Sequence, residues 1–89
     1  FANKKTTDNP YILEVNCKND ISENSVLNIL SKNVNKYCVK SKTISPSNGI
    51  EMTIEVKLKN ITTSFVNEVS KIEGVSNAVL VSYNGDYMA

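Results

Sequence analysis

The chain contains no arginine, no histidine and no tryptophan. Those absences remove the bidentate phosphate clamp, the imidazole base, the usual nitrogen ligand of a metal and the strongest stacking platform. Lysines, carboxylates, hydroxyls and the thiols of Cys17 and Cys38 are all that remain for chemistry. No apolar run approaches the roughly 20 residues of a membrane helix. Charge of one sign is missing too: ten basic residues against nine acidic ones leave +1. That balance gives no footprint for nucleic acid or for an anionic membrane surface.

The 89 residues make one small domain, of a size at which burial against a partner is common. Residues 1–10 are polar and end at Pro10, which reads as a stop, so they form a linker, an expression remnant or an expelled tail, and 11–89 the domain. The start on Phe1 points to a longer protein upstream. Cys17 and Cys38 fall on different strands and opposite faces, so an internal disulfide is not expected and two reduced thiols place the chain in the cytoplasm. Thirteen asparagines and an all-lysine basic set suggest an AT-rich bacterial source.

Tyr11, Leu13, Val15 and Cys17 alternate with Ile12, Glu14, Asn16 and Lys18, the pattern of a strand with one buried face. Asp20 and Glu23 have capping-box spacing, and Val26, Leu27, Ile29, Leu30 and Val34 recur at helical spacing, predicting a helix from Ile21 to Val34. Asn48-Gly49 then predicts a two-residue hairpin between Tyr37–Thr43 and Ile50–Lys59, with both turn residues at positive φ. In that register Thr43 faces Ile54, Ser41 faces Val56, Val39 faces Leu58, Lys42 meets Glu55 and Ile44 meets Thr53. Pro46, just before the turn, requires its strand to lie at a sheet edge. Thr62 or Thr63 caps a second helix carrying Phe65, Val66, Val69 and Ile72, which Gly74 ends. Ala78–Tyr83 is the last strand, with Val79, Val81 and Tyr83 on one face.

The order β-α-β-β-α-β is an α+β, ferredoxin-like plan: a four-stranded antiparallel sheet in order 4-1-3-2 with both helices on one face. Its expected core is Leu13, Val15, Val26, Leu27, Leu30, Val39, Met52, Ile54, Val56, Leu58, Phe65, Val69, Ile72 and Leu80 or Val79.

This order, with the helix end Lys71-Ile72-Glu73-Gly74-Val75 and the strand Ala78-Val79-Leu80-Val81, resembles the ACT domain, a small regulatory module that binds amino acids and pairs into dimers. Glu73-Gly74-Val75 through Val81-Ser82-Tyr83-Asn84-Gly85-Asp86 also resembles the cytosolic C-terminal domain of an uncharacterised bacterial family whose N-terminal half spans the membrane. The sequence departs from amino-acid-binding ACT domains between the first strand and first helix, where Lys18-Asn19-Asp20-Ile21 replaces the usual glycine-containing turn.

Three places carry candidate function. Asn19, Asp20 and Ser22, at the start of the first helix, could hold an amino-acid-like ligand, although Asp20 and Glu23 oppose an anion there and ordinary capping is the simpler reading. Ile12, Val79, Val81, Tyr83 and Tyr87 form an apolar interface at the last strand, with Ala78 an alternative to Val79 on the outer face and Ile44 at a far corner. Either a second protomer or the tail Tyr87-Met88 covers it. Lys40, Lys42, Lys57 and Lys59 gather on the outer sheet face with Glu51 and Glu55, a solvated, salt-bridged surface. It lacks the central aromatics of an RNA-binding sheet, since Glu14, Asn16, Thr53 and Glu55 stand there. No cofactor, metal or catalytic residue is expected: there is no CxxC, and the acylphosphatase chemistry of this fold needs an arginine. The resulting expectation is a non-catalytic cytosolic regulatory or assembly domain of a membrane-anchored protein, acting as a homodimer, with a small-ligand sensor as the alternative.

Overall fold

The computed structural model describes residues 10–58 and 63–82. Six elements follow in order: β1 (Pro10–Cys17), α1 (Asp20–Asn33), β2 (Val34–Ser45), β3 (Gly49–Leu58), α2 (Phe65–Ser70) and β4 (Val75–Ser82). The sheet is antiparallel throughout, in the order β2-β3-β1-β4, which is the expected 4-1-3-2 read from its other edge. Among the described residues, no helix is long and apolar enough to cross a membrane.

Period-two alternation sets the core. Tyr11, Leu13, Val15 and Cys17 of β1 and Ile50, Met52, Ile54, Val56 and Leu58 of β3 are buried on the helix face. Val26 and Leu30 of α1 and Phe65 and Val69 of α2 close over them. Each such side chain contributes about 1.5–3 kcal/mol through removal from water. Leu27, Ile72, Ala78 and Leu80 are half-buried against this cluster.

Several boundaries differ from the sequence expectation, each for a local reason. Pro10 is the first residue of β1, opposite Lys57, where a missing amide at a strand start is tolerated. Val34 is not helical: its extended backbone (φ −115°) opens β2, its amide donates to Leu30 O, and its side chain is buried opposite Leu58. Thr63 does not lead α2 as a side-chain cap; Ser64 is the N-cap position, its side chain not capping the helix, and Thr63 O accepts from Val66 N at 3.1 Å. Thr62, Lys59, Tyr83 and the tail lie outside the described residues. β4 starts at Val75 rather than Ala78, with Ser76 bulged between the Asn16–Asn77 and Cys17–Val75 pairs.

The largest correction concerns the hairpin. Asn48-Gly49 is not a two-residue turn: Ser45 pairs with Gly49, the turn is Pro46-Ser47-Asn48, and only Gly49 has positive φ, at 73°. This is the three-residue loop closed by a left-handed glycine, and Pro46 sits inside it, so the proline does not itself dictate the edge. The pairing consequently becomes Ile44–Ile50, Thr43–Glu51, Lys42–Met52 and Ser41–Thr53. Bulges at Lys40 and Asn35 then shift it to Val39–Ile54, Cys38–Glu55 and Tyr37–Val56. Lys42 therefore lies on the helix face, where it meets Glu23 of α1 at 2.8 Å, while Lys40 takes Glu55 at 3.6 Å. Val39 shares that face yet is 40% exposed, because β2 is buried only at Val34 and runs along the edge beyond the helices.

Gly49 packs so tightly that a Cβ would stand 2.5 Å from Cys17 O. Combining that clash with the left-handed backbone, Gly49→Ala is expected to cost about 2–3 kcal/mol in chemical denaturation, against about 0.5 kcal/mol or less for Ser47→Ala in the same loop.

Candidate functional site

The turn joining β1 to α1 is held by its own side chains. Asn19, with extended backbone (φ −153°, ψ −178°), is the N-cap, and its Oδ1 accepts from Ser22 N at 3.0 Å. In return Asn19 N donates to Ser22 Oγ at 3.2 Å, while the Ser22 hydroxyl donates to Asn19 O at 2.9 Å. The capping box is thus Asn19–Ser22 and not Asp20–Glu23. Both residue pairs carry good capping types at the same spacing, so periodicity alone leaves the frame one residue uncertain.

Two other turns press on this one. Lys18 N donates to Gly74 O at 2.6 Å, and a Cβ on Gly74 (φ 98°) would fall 2.9 Å from Ser22 Cβ. Gly49 reaches the opposite side, against Cys17 O. Glycines are absent from the β1–α1 turn, yet two arrive from elsewhere in the chain to lie against it.

This convergence leaves two hollows. One, of about 500 Å³, lies between Cys17-Lys18, the loop Pro46–Gly49 and Gly74-Val75-Ser76. The other, of about 430 Å³, is lined by Lys18, Asn19, Ile21, Ser25, Ile72, Glu73 and Gly74. Of the residues singled out from sequence, Asn19 lines the second, whereas Asp20 and Ser22 line neither. Ser22 is 1% exposed and its hydroxyl is committed to Asn19; Asp20 is exposed in the first helical turn. Lys18 borders both hollows and Glu73 the second, so the polar side chains offered are one ammonium, one carboxylate, the hydroxyls of Ser25, Ser47 and Ser76 and the amides of Asn19 and Asn48. These loop residues read in the sequence only as turns, because they converge on a shared space only once the three turns meet.

Cys17 and Cys38 are both free. Burial, with Glu23 nearby, pushes the Cys17 thiol above its ordinary value of 9.0, opposed in part by a hydrogen bond with Ser22. Cys38 is exposed on the outer face opposite Glu55. Among the described residues, no group of three His, Cys, Asp or Glu side chains gathers to hold a metal.

At the other candidate surface, Ile12 lies opposite Val81 and Glu14 opposite Val79, on the sheet face away from the helices. Val79 and Val81 are 41% and 46% exposed, while Ala78 and Leu80 face inward, half-buried. Tyr83 and Tyr87 lie outside the described residues.

Searches of known proteins bear on the fold. The C-terminal domain of the MgtC protein from Mycobacterium tuberculosis superposes with a TM-score of 0.59 at 17% identity, over 98% of this chain and 99% of that one. The ACT domain from GTP pyrophosphokinase of Chlorobium tepidum gives 0.55 at 17% identity, over 81% of this chain and 95% of that one. The fold is ACT-like. No protein-family model and no curated protein sequence matches the chain.

Asn19→Ala is expected to destabilise by about 1 kcal/mol in urea titration, and Asp20→Ala by about 0.5 kcal/mol or less, through its place near the helix dipole. Because the folded state raises the Cys17 pKa, it favours the neutral thiol: that stabilisation is complete below 9.0 and is lost as pH climbs through the raised value. Above pH 9.0 the native protein should therefore lose stability relative to a Cys17→Ala variant, measured by denaturant midpoints across the alkaline range.

Proposed function

We propose that this domain is a non-catalytic regulatory and assembly module of a larger, membrane-anchored protein, acting through homodimerisation. The observation that carries the reading is the strip Ile12, Val79 and Val81, which leaves apolar surface exposed beside the edge of β4, a strand whose one strand neighbour among the described residues is β1. A strand with one open backbone edge and an apolar outer face is a ready template for a second copy. The two similar structures support it in kind, since each is a domain of a named protein: one its C-terminal domain, the other an ACT domain from GTP pyrophosphokinase.

A second reading rests on the hollows around Lys18. A zwitterion of amino-acid size could set its carboxylate by Lys18 and its ammonium by Glu73, with Asn19 between them. Asn19 and Ser22 satisfy one another in the capping box, which favours the assembly reading.

Light scattering should give a mass twice that of the chain, and Val81→Asp should halve it while circular dichroism stays unchanged. A native monomer whose melting temperature rises with one particular amino acid in a thermal-shift screen would overturn the assembly reading in favour of the sensor.

A further inference from the structure

On the outer face at the β2 edge lies a third hollow of about 220 Å³ lined by Lys36, Tyr37, Cys38, Lys40, Glu55 and Lys57, whose Glu55 pairs with Ile12 of the neighbouring strip. Pairing puts Lys36 directly opposite Lys57 and Cys38 opposite Glu55. Like charges facing one another across an antiparallel pair destabilise a sheet, with Cβ atoms about 4.5–5.5 Å apart. Here the repulsion is not offset locally. The single lining carboxylate, Glu55, is engaged by Lys40 at 3.6 Å, and among the described residues neither Lys36 nor Lys57 forms an ion pair. Three ammonium groups against one carboxylate leave two positive charges in the hollow, in a chain whose net charge is +1.

The backbone concentrates them. Bulges at Asn35 and Lys40 bracket the segment Lys36–Val39. Each bulge bends and twists its strand, and the second places Lys40 so that its ammonium, like those of Lys36 and Lys57, serves the outer face. Lys42, which simple alternation assigns to this surface, has instead gone to Glu23 on the helix side. The outer lysines are therefore a local cluster and not the evenly bridged surface expected from sequence.

We propose that Lys36, Lys40 and Lys57 form a binding site for a phosphate dianion, of the kind carried by inorganic phosphate or a phosphomonoester. The two unbalanced charges match a dianion. The volume is below the roughly 300–1,000 Å³ of clefts that enclose drug-sized ligands, so a single tetrahedral group is the fitting occupant. Lysine binds phosphate as a point charge and does not need the arginine fork that this chain lacks. Bound phosphate would relieve the Lys36–Lys57 repulsion, so binding and stability are coupled.

The test is an NMR titration of the chain with inorganic phosphate at constant ionic strength, repeated with the double variant Lys36→Gln/Lys57→Gln. Saturable amide shifts confined to Lys36–Lys40 and Glu55–Lys57 are expected, weakened about tenfold or more in the double variant and unchanged in Lys71→Gln. The double variant should also melt higher than the native chain without phosphate and gain nothing when phosphate is added. Vesicles of phosphatidylcholine with and without phosphatidic acid separate the sources: retention that needs phosphatidic acid and both lysines assigns the phosphomonoester to a lipid headgroup, and saturation by phosphate alone assigns it to a free ligand. Shifts that stay linear and spread over every lysine, together with no lysine-dependent retention on phosphatidic acid, would overturn the proposal, as would an affinity unaltered by the double substitution. The light-scattering mass of the double variant, expected to equal that of the native chain, keeps this outcome distinct from dimerisation through the strip that Glu55 adjoins at Ile12.

Discussion

One end of this molecule depends on the closeness with which two glycines approach the turn between β1 and α1. Gly49, opening β3, leaves no room for a side chain beside Cys17 O, and Gly74, ending the α2 region, leaves none beside Ser22. The Lys18–Gly74 hydrogen bond, at 2.6 Å, joins the two halves of the split βαβ plan at this point. Both glycines also stand at positive φ, where other residues are strained. With these turns locked together, the first turn of α1 is fixed over the sheet, and the hollows on either side of Lys18 follow as the spaces that three converging loops cannot fill.

Sequence reading and structure agree most closely where burial enforces a strict period. In β3 the alternation of Met52, Ile54, Val56 and Leu58 with Glu51, Thr53, Glu55 and Lys57 survives intact, because both neighbours of that strand are paired and one face is wholly covered. The order of strands was legible for the same reason. β2 is the opposite case. Among the described residues it has one strand neighbour, little burial and two bulges, so no hydrophobic period pins its register, and Lys42 faces a helix that simple alternation would have turned it away from. The Asn-Gly pair correctly located the reversal of the chain, but Pro46 and Ser45 decided the loop length, and the pairing moved with it.

The candidate sites divide along similar lines. Alternation put Val79 and Val81 on one face of the last strand but, with no polar side to decide, left open whether Val79 or Leu80 faces the core; the structure turns Val79 and Val81 outward, with Ile12 beside them. Asn19, Asp20 and Ser22 were recognisable as a helix start, yet their chemistry was not: Asn19 and Ser22 satisfy each other, leaving Lys18 and Glu73 as the charged groups that face the hollows. A resemblance in fold therefore carries over as geometry, while the polar groups presented by that geometry are particular to this chain.

Amide hydrogen exchange at Lys18 measures the junction of the two halves directly. If the clasp holds the fold together, the Lys18 amide exchanges only through global unfolding, with protection matching that of Leu13 and Ile54 in the central strands. Protection no greater than that of an exposed loop amide such as Ser47 would contradict the central place given to this contact.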